Sequence, residues 1–178
     1  GNVGPVFDDV PPDSSMEAVE AGARVYLESG CDAIIAVGGG SVMDTAKAMN
    51  IMATEGGGDP RRFAGYNNLT HRLKPFVAIP TTAGTGSEVT AISVIKDREA
   101  GSKTFFFSQF LLPDVAVLDP RMTLKLPPMT TNSAILAAIS GALTKATAML
   151  VKGPIKQTVI ARSSARSASS ATPATWTS

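Results

Sequence analysis

The sequence predicts an α/β fold: a parallel sheet with flanking helices and an added β-hairpin, followed by the start of an all-helical region. Short apolar runs alternate along the chain with stretches of helical periodicity, an order that is typical of a parallel sheet. The 178 residues are enough for one well-buried domain and too few for two comfortable ones. We therefore expect a single core with additional segments at its ends.

The first elements are an extended segment and an amphipathic helix. Val3 to Pro12 is rich in proline, and Ser14 to Glu17 has the S-x-x-E form of a helix-capping box. Apolar residues then recur at helical spacing from Val19 to Leu27, and Gly30 stops the pattern. A helix is predicted between the capping box and this glycine.

Three short apolar runs have the composition of strands buried in a parallel sheet. A second helix is predicted from Ser41 to Thr54, with Ser41 and Asp44 as its capping box and Gly56 to Gly58 as its exit. The predicted strands are Ala33 to Val37, Phe76 to Ile79 and Val115 to Leu118.

The hairpin is predicted where two strand-like runs flank a charged turn that contains glycine. These runs are Val89 to Ile95 and Lys103 to Phe107, and the turn is Asp97 to Gly101. A polar loop, Asp59 to Lys74, precedes them, with a short helical piece expected near Arg62.

The C-terminal third changes in composition. Ser133 to Lys152 is rich in alanine and is predicted to be helical, whereas Arg162 to Ser178 consists mostly of Ser, Ala, Arg and Thr without an apolar period. The predicted organisation is an α/β dinucleotide-binding domain over residues 1–126, incomplete at its N-terminus, a helical remnant over 127–161 and a disordered tail over 162–178.

Charge and composition exclude several classes of partner. The net charge is +1 and the sixteen Lys and Arg residues are scattered, so neither a nucleic-acid nor a membrane-surface footprint is predicted. No apolar run approaches the roughly 20 residues of a membrane span. The single cysteine, Cys31, precedes an apolar run, which favours a packing role in a reducing compartment. We expect a cytoplasmic protein with a small-molecule partner, and a homo-oligomer is possible through an edge of the hairpin.

The first motif with chemical meaning is Gly38-Gly39-Gly40-Ser41-x-x-Asp44, which lies between a predicted strand and a predicted helix. Glycines allow backbone amides to approach a phosphate, and the start of a helix presents free N–H groups and a positive dipole end. This pattern favours a dinucleotide pyrophosphate site. The alternative is a glycine-rich turn with a capping box.

The second motif is Thr81-Thr82-Ala83-Gly84-Thr85-Gly86-Ser87-Glu88, directly after another predicted strand. Its hydroxyls and glycines would stand at the carboxyl end of that strand, where open α/β sheets bind ligands. The alternative is a hydroxyl-rich turn that caps a helix. Together the two motifs predict one cleft.

The runs Asp32 to Ser41 and Ile79 to Thr90 resemble the two signature segments of the iron-containing (group III) alcohol dehydrogenases, in the family's order and separation. The likeness extends from about Phe7 to Pro128. It implies a Rossmann-like nucleotide domain followed by a helical metal domain, which together pass a hydride between NAD or NADP and a small alcohol or aldehyde.

The resemblance also implies roles for individual residues. Gly39, Gly40 and Ser41 would contact the cofactor pyrophosphate, with Gly38 in the same cofactor-binding loop and Asp44 bracing that loop. Thr81, Thr82 and Thr85 would line the nicotinamide side. Lys103 falls where the family places a lysine that reaches the cofactor ribose, and its alternative is a solvated strand lysine.

The sequence departs from the family at the metal site. The family holds Fe²⁺ or Zn²⁺ with one Asp and three His, the first two in an Asp-Ala-Leu-Thr-His pattern that sets both ligands on one helix face. Here Gly141 and Lys145 occupy those positions, and an ungapped alignment offers Ala137 and Gly141 instead. His71, the only histidine, is expected to be an exposed loop residue. No metal is therefore expected to bind this chain, and no catalytic residue is assigned.

Several interpretations of function stay open at this point. The leading one is an NAD(P)-dependent, iron-type alcohol dehydrogenase whose activity is impaired in this chain, with the residues after about 128 either divergent or out of frame. A second is a non-catalytic nucleotide-binding fragment. A third is another metal-dependent member of the superfamily, such as a glycerol dehydrogenase or a dehydroquinate synthase, which the Thr81 to Thr90 run disfavours.

Overall fold

The computed structural model of the protein describes residues 2–123 and 158–163. Two α-helices and eight strands lie in these ranges, joined by short 3-10 helices. The α-helices are α1 (Met16–Glu28) and α2 (Gly40–Glu55). The strands are β1 (Asn2–Phe7), β2 (Cys31–Gly38), β3 (Gly65–Tyr66), β4 (Phe76–Pro80), β5 (Ile92–Asp97), β6 (Ser102–Phe107), β7 (Val115–Ala116) and β8 (Thr158–Ser163). The 3-10 helices are Pro60–Phe63, Ser87–Val89, Gln109–Leu111 and Pro120–Thr123.

The main sheet has five strands in the order β1-β8-β2-β4-β7. Strands β2, β4 and β7 run parallel, and Ile34 to Gly38 lie in register with Phe76 to Pro80. This arrangement confirms the predicted parallel sheet with helices packed on it, which is a Rossmann-like fold. The three predicted strands are all present, and none of their ends shifts by more than two residues.

Strand β8 was not predicted. It runs antiparallel between β1 and β2, pairing Ile160 with both Val6 and Ile35. The sequence analysis placed residues 158–161 in a helical remnant and 162–163 in a disordered tail, so both expectations are wrong for these six residues. The physical reason is that the free edge of β2 offers a row of backbone donors and acceptors, and Thr158, Val159 and Ile160 are β-branched. The remaining residues of both segments, and the predicted helix from Ser133 to Lys152, lie outside the described ranges.

Both helix starts differ in detail from the predicted capping boxes. In α1 the N-cap is Ser15, whose hydroxyl accepts a hydrogen bond from the Ala18 N–H at 3.3 Å, while the Ser14 hydroxyl donates to the Val94 carbonyl. In α2 the helix begins at Gly40, and its N-cap, Gly39, has no side chain that could cap it. The predicted box of Ser41 and Asp44 is therefore wrong, because both side chains bind partners on other segments.

The hairpin is confirmed as β5 and β6, which form a second sheet with the short strand β3. Gly101 closes the turn with a φ of 65°, a conformation that glycine adopts without strain. The predicted helical piece near Arg62 is the 3-10 helix Pro60–Phe63. From this helix, Arg61 donates to the Asp97 carboxylate at 2.7 Å and so ties the loop to the end of β5.

The core lies between the two α-helices and one face of the main sheet. Side chains from α1, α2, β2 and β4 meet in one cluster, and Cys31 is buried there, where burial raises the pKa of its thiol. A smaller cluster on the opposite face of the sheet is centred on Val37, Ile79 and Val117. Among the helices that the structure describes, none is long and apolar enough to cross a membrane.

Candidate functional site

The two glycine-rich motifs lie side by side at the carboxyl edge of the main sheet. Because β2 and β4 are parallel neighbours, both motifs leave the sheet at the same edge. The Thr81 N–H donates to the Gly38 carbonyl at 2.9 Å, which extends the pairing beyond the strands. The single cleft edge expected from the sequence is thus formed by adjacent segments.

The glycines of the first loop make room for the second loop. A Cβ added to Gly39 would lie 3.0 Å from the Thr82 Cγ2, and one added to Gly40 would lie 2.6 Å from the Thr85 Cγ2. At Gly38 the conflict is with the Val42 side chain, at 2.5 Å. From the sequence, the lack of side chains at these glycines was expected to admit a phosphate. In the structure, threonine and valine side chains occupy that space.

The groups left for an anion are the backbone amides at the start of α2. No side chain caps this helix end, and the Ser41 hydroxyl instead accepts a hydrogen bond from the Asp13 N–H at 3.0 Å. Nearby, the Thr81 hydroxyl is buried and has no hydrogen-bond partner among the described residues. Free amides, a positive helix end and an unpartnered hydroxyl together form a site that can accept a polar, negatively charged group.

Asp44 was expected to brace the first glycine loop, but from within α2 its carboxylate binds the second loop and the hairpin. One carboxylate oxygen accepts a hydrogen bond from the Ser87 hydroxyl at 2.7 Å, and the other accepts one from the Val94 N–H at 3.1 Å. Its carbonyl accepts a further bond from the Ser93 hydroxyl. Burial raises the pKa of Asp44, while the Ser87 hydroxyl, the Lys47 charge and the Val94 N–H act in the opposite direction.

Lys47 is a functional candidate that the sequence analysis missed. Its side chain is 1% exposed, and its Nζ donates to the carbonyls of Ser87, Thr90 and Ile92 at 2.6, 2.8 and 2.8 Å. The hydroxyls of Ser87 and Thr90 lie at 3.0 and 3.3 Å. Its sequence neighbours could have indicated this burial, because Lys47 lies inside the mostly apolar run from Thr45 to Ala53 and has no route to solvent.

Lys103 lies on β6. Its ammonium forms an ion pair with the Asp13 carboxylate at 2.6 Å, and both side chains are more than half exposed. Asp13 has a φ of 66°, and its N–H is the donor to Ser41. Asp13 therefore links Lys103 to the first glycine loop, and the structure shows no direct contact between Lys103 and that loop.

The described residues contain no group of three His, Cys, Asp or Glu side chains that could hold a metal ion. The positions where the family pattern would place metal ligands, Gly141 and Lys145 or Ala137 and Gly141, lie outside the described ranges. His71 is half exposed in its loop, as predicted, and its Nε2 lies 3.3 Å from a carboxylate oxygen of Glu55.

An open sheet with parallel central strands, helices packed on it and two glycine-rich loops at its carboxyl edge defines the Rossmann-like class of α/β protein. Within that class, the family model for iron-containing alcohol dehydrogenases matches residues 1–120. The chain belongs to this family, and the resemblance inferred from Asp32 to Ser41 and Ile79 to Thr90 is confirmed.

Individual relatives agree with this assignment. The chain is 37% identical over 138 residues to the NAD-dependent methanol dehydrogenase of Bacillus methanolicus, covering 78% of this chain and 36% of that protein. It is 42% identical over 141 residues to the 4-hydroxybutyrate dehydrogenase of Cupriavidus necator, covering 76% and 36%. The crystal structure of a 1,3-propanediol oxidoreductase matches with a TM-score of 0.68 at 37% identity, covering 77% of this chain and 36% of that one.

A second solved structure contains a cofactor. Sulfoacetaldehyde reductase from Bifidobacterium kashiwanohense, in complex with NAD⁺, matches with a TM-score of 0.64 at 34% identity, covering 75% of this chain and 36% of that chain. This chain therefore spans about a third of the length of the relatives that it matches.

Proposed function

We propose that this chain forms the NAD(P)-binding part of an iron-type alcohol dehydrogenase. The observation that carries the proposal is the uncapped start of α2 beside the buried, unpartnered hydroxyl of Thr81. A pyrophosphate accepts hydrogen bonds from free helix amides and is attracted by the positive end of the helix dipole. The NAD-dependent relative and the NAD⁺ complex support the same assignment.

Each candidate residue has a role in this proposal that matches its position. The amides at Gly39, Gly40 and Ser41 bind the pyrophosphate, and Gly38, which ends β2, leaves room for the Val42 side chain. Thr82 and Thr85 pack against these glycines and set the spacing between the loops. Thr81 offers its hydroxyl to the nicotinamide side, Asp44 holds the second loop, and Lys103 is left to reach the ribose.

The activity proposed for the family protein is hydride transfer between the nicotinamide and a small alcohol or aldehyde. Bound NAD or NADP supplies the hydride chemistry, and the choice between the two stays open. Among the residues that the structure describes, no set of side chains fits the family's metal, and no step is assigned to Fe²⁺ or Zn²⁺. We propose that activity is impaired in this chain. Aldehyde reduction by this chain, with either metal added, at the rate of a complete enzyme of the family would contradict this.

The second candidate function is a nucleotide-binding fragment without chemistry. It retains both glycine-rich loops at the carboxyl edge of the sheet, as the enzyme does. A parent gene that continues in frame through a complete metal-binding domain would favour the enzyme. Cytoplasmic localisation and homo-oligomerisation are predictions under either function.

Calorimetric titration of the full chain with NADH, without and then with Fe²⁺ or Zn²⁺, tests the proposal. We expect saturable NADH binding and no metal heat. Replacing the Thr81 hydroxyl by a methyl group in Thr81→Val keeps the shape of the side chain and should weaken NADH binding about five- to tenfold, since one hydrogen bond contributes about 1 kcal/mol.

The matched control is Thr70→Val, which removes an exposed hydroxyl in the loop beside His71. This variant should bind NADH like the wild type. Absence of NADH binding by the wild-type chain would overturn the proposed function, and equal affinity in the wild type and Thr81→Val would remove Thr81 from the site.

A further inference from the structure

Among the described residues, Lys47 is a buried cation that neither the fold nor the sequence motifs explain. Its ammonium has three N–H groups, and the three nearest acceptors are carbonyl oxygens of Ser87, Thr90 and Ile92, all within 2.8 Å. These carbonyls belong to one continuous segment, which leaves the second glycine loop and enters β5. An ammonium group satisfies all three acceptors at once, whereas a neutral amine has two N–H groups and directs a lone pair at the third.

The segment held by Lys47 is continuous with the residues proposed to contact the cofactor. Thr85 packs on Gly40 and accepts a hydrogen bond from the Ser87 N–H at 3.3 Å. Ser87 in turn donates to Asp44 and accepts from Lys47. Asp44 and Lys47, one turn apart on α2, therefore both bind the second loop. The start of the same helix belongs to the first loop.

We propose that Lys47 is a positioning residue for the cofactor: its buried ammonium holds the Ser87 to Ile92 segment so that the second glycine loop stays fixed against the first. The inference rests on the proposed function, because it concerns the same cleft. It assigns to Lys47 an effect on cofactor affinity through the loop, without direct contact with the cofactor.

The charge of Lys47 is sensitive to pH in this environment. Burial lowers its pKa to about 8, while Asp44 on its own helix and Glu88 on the 3-10 helix favour the charged form. Strand β5 contributes the Ile92 carbonyl; its charged residues are Lys96, which is exposed, and Asp97, which is bound by Arg61. If the loop requires the ammonium, NADH binding above about pH 8 must be accompanied by proton uptake at Lys47.

The test is NADH titration of the full 178-residue chain between pH 7 and 9.5, in two buffers of different ionisation enthalpy. For the wild type we expect proton uptake that is largest above pH 8 and an affinity that falls about tenfold between pH 7 and 9, in proportion to the protonated fraction. Lys47→Met should bind NADH at least about tenfold more weakly at pH 7 and should show no proton uptake.

Two further variants separate positioning from general stability. Asn50→Ala is on the same helix and removes bonds to Lys74 at the opposite end of the sheet, so it should lower stability and leave NADH affinity and proton uptake unchanged. Ser87→Ala keeps the Lys47 bonds to carbonyls and removes the two hydroxyl contacts; it should weaken NADH binding by less than Lys47→Met and retain the proton uptake. This variant and the wild-type proton linkage keep the test decisive if Lys47→Met does not fold.

The outcomes distinguish the two proposals. NADH binding by the wild type without proton uptake, or a loss of affinity in Asn50→Ala equal to that in Lys47→Met, would overturn the role of Lys47 and leave the proposed function standing. Absence of NADH binding at every pH would overturn both.

Discussion

Asp97 shows how a single residue can be buried with its charge intact. It is 1% exposed, yet its carboxylate accepts hydrogen bonds from the Arg61 guanidinium and from the N–H groups of Glu99 and Ala100. The Arg61 contact is the largest of the causes that hold the pKa of Asp97 well below its usual range. An ionised carboxylate therefore stabilises the hairpin turn.

This contribution predicts a pH dependence of stability with a defined sign. Because the pKa of Asp97 is lower in the folded than in the unfolded chain, its contribution is fully present above about pH 4 and is lost as the pH falls below that value. Asp97→Asn should lower the urea midpoint at pH 7, and its difference from the wild type should shrink towards pH 2. Asp9→Asn, which removes an exposed carboxylate, is the control and should track the wild type. A constant difference at every pH would contradict the argument.

At the same scale, the sequence identified residues better than it identified their partners. Asp44 and the threonines of the second loop were named because hydroxyls, carboxylates and glycines clustered after predicted strands. The cap of α1 was expected at Ser14 and lies at Ser15, since the S-x-x-E pattern fits equally well a serine that bonds elsewhere. The apolar neighbours of Lys47 indicate its burial but not its partners, because its acceptors are backbone carbonyls about 40 residues away in the chain and no side-chain pattern records them.

At the scale of elements, the close contact between the two glycine loops predicts that these loops are coupled in stability. Gly40→Ala places a methyl group 2.6 Å from the Thr85 Cγ2, so we expect a loss of about 1–3 kcal/mol in the free energy of unfolding from overpacking. In the double variant Gly40→Ala/Thr85→Ala the conflict is removed, and most of this loss should be recovered relative to Thr85→Ala alone. Urea unfolding of the four proteins as a double-mutant cycle measures the coupling.

The control for this prediction lies in the second loop itself. An added Cβ at Gly84 meets nothing within 4 Å, so Gly84→Ala should leave the urea midpoint close to that of the wild type. A cycle in which the two substitutions simply add would show that the loops do not press on each other.

Element types were predictable because their signals are local. Periodicity located both α-helices, and apolar runs located the three parallel strands. Helix ends were less predictable, since the start of α2 is set by the close packing of Gly39 and Gly40 against threonines of a distant loop. Strand β8 was not predicted, because a stretch of six residues with β-branched side chains becomes a strand only when a free sheet edge is beside it.

At the scale of the whole molecule, β8 joins the N-terminal strand to the rest of the sheet. Among the described strands it is the one that pairs with β1, and it also pairs with β2. A chain that stops after Gln157 should therefore lose several kcal/mol of stability, at about 1 kcal/mol for each backbone hydrogen bond removed, and should associate through the exposed edge of β2.

The matched control stops after Ser163 and keeps all of β8. Urea unfolding and size-exclusion chromatography of the two truncated chains provide the comparison. Equal stability and a monomeric state for the shorter chain would show that β8 does not contribute to the sheet.

The late position of β8 in the chain also affects the order in which the strands can fold. A ribosome makes β1 long before β8, because Phe7 pairs with Val159, more than 150 residues later in the chain. During synthesis the β2 edge and the first strand must remain apart while α1, α2 and the parallel strands already assemble. Closing so long a loop is entropically unfavourable and slow, and an open edge is exposed to other chains meanwhile. The slowest step in the folding of this chain should be the addition of β8 to the free edge of β2, after which β1 can pair with β8.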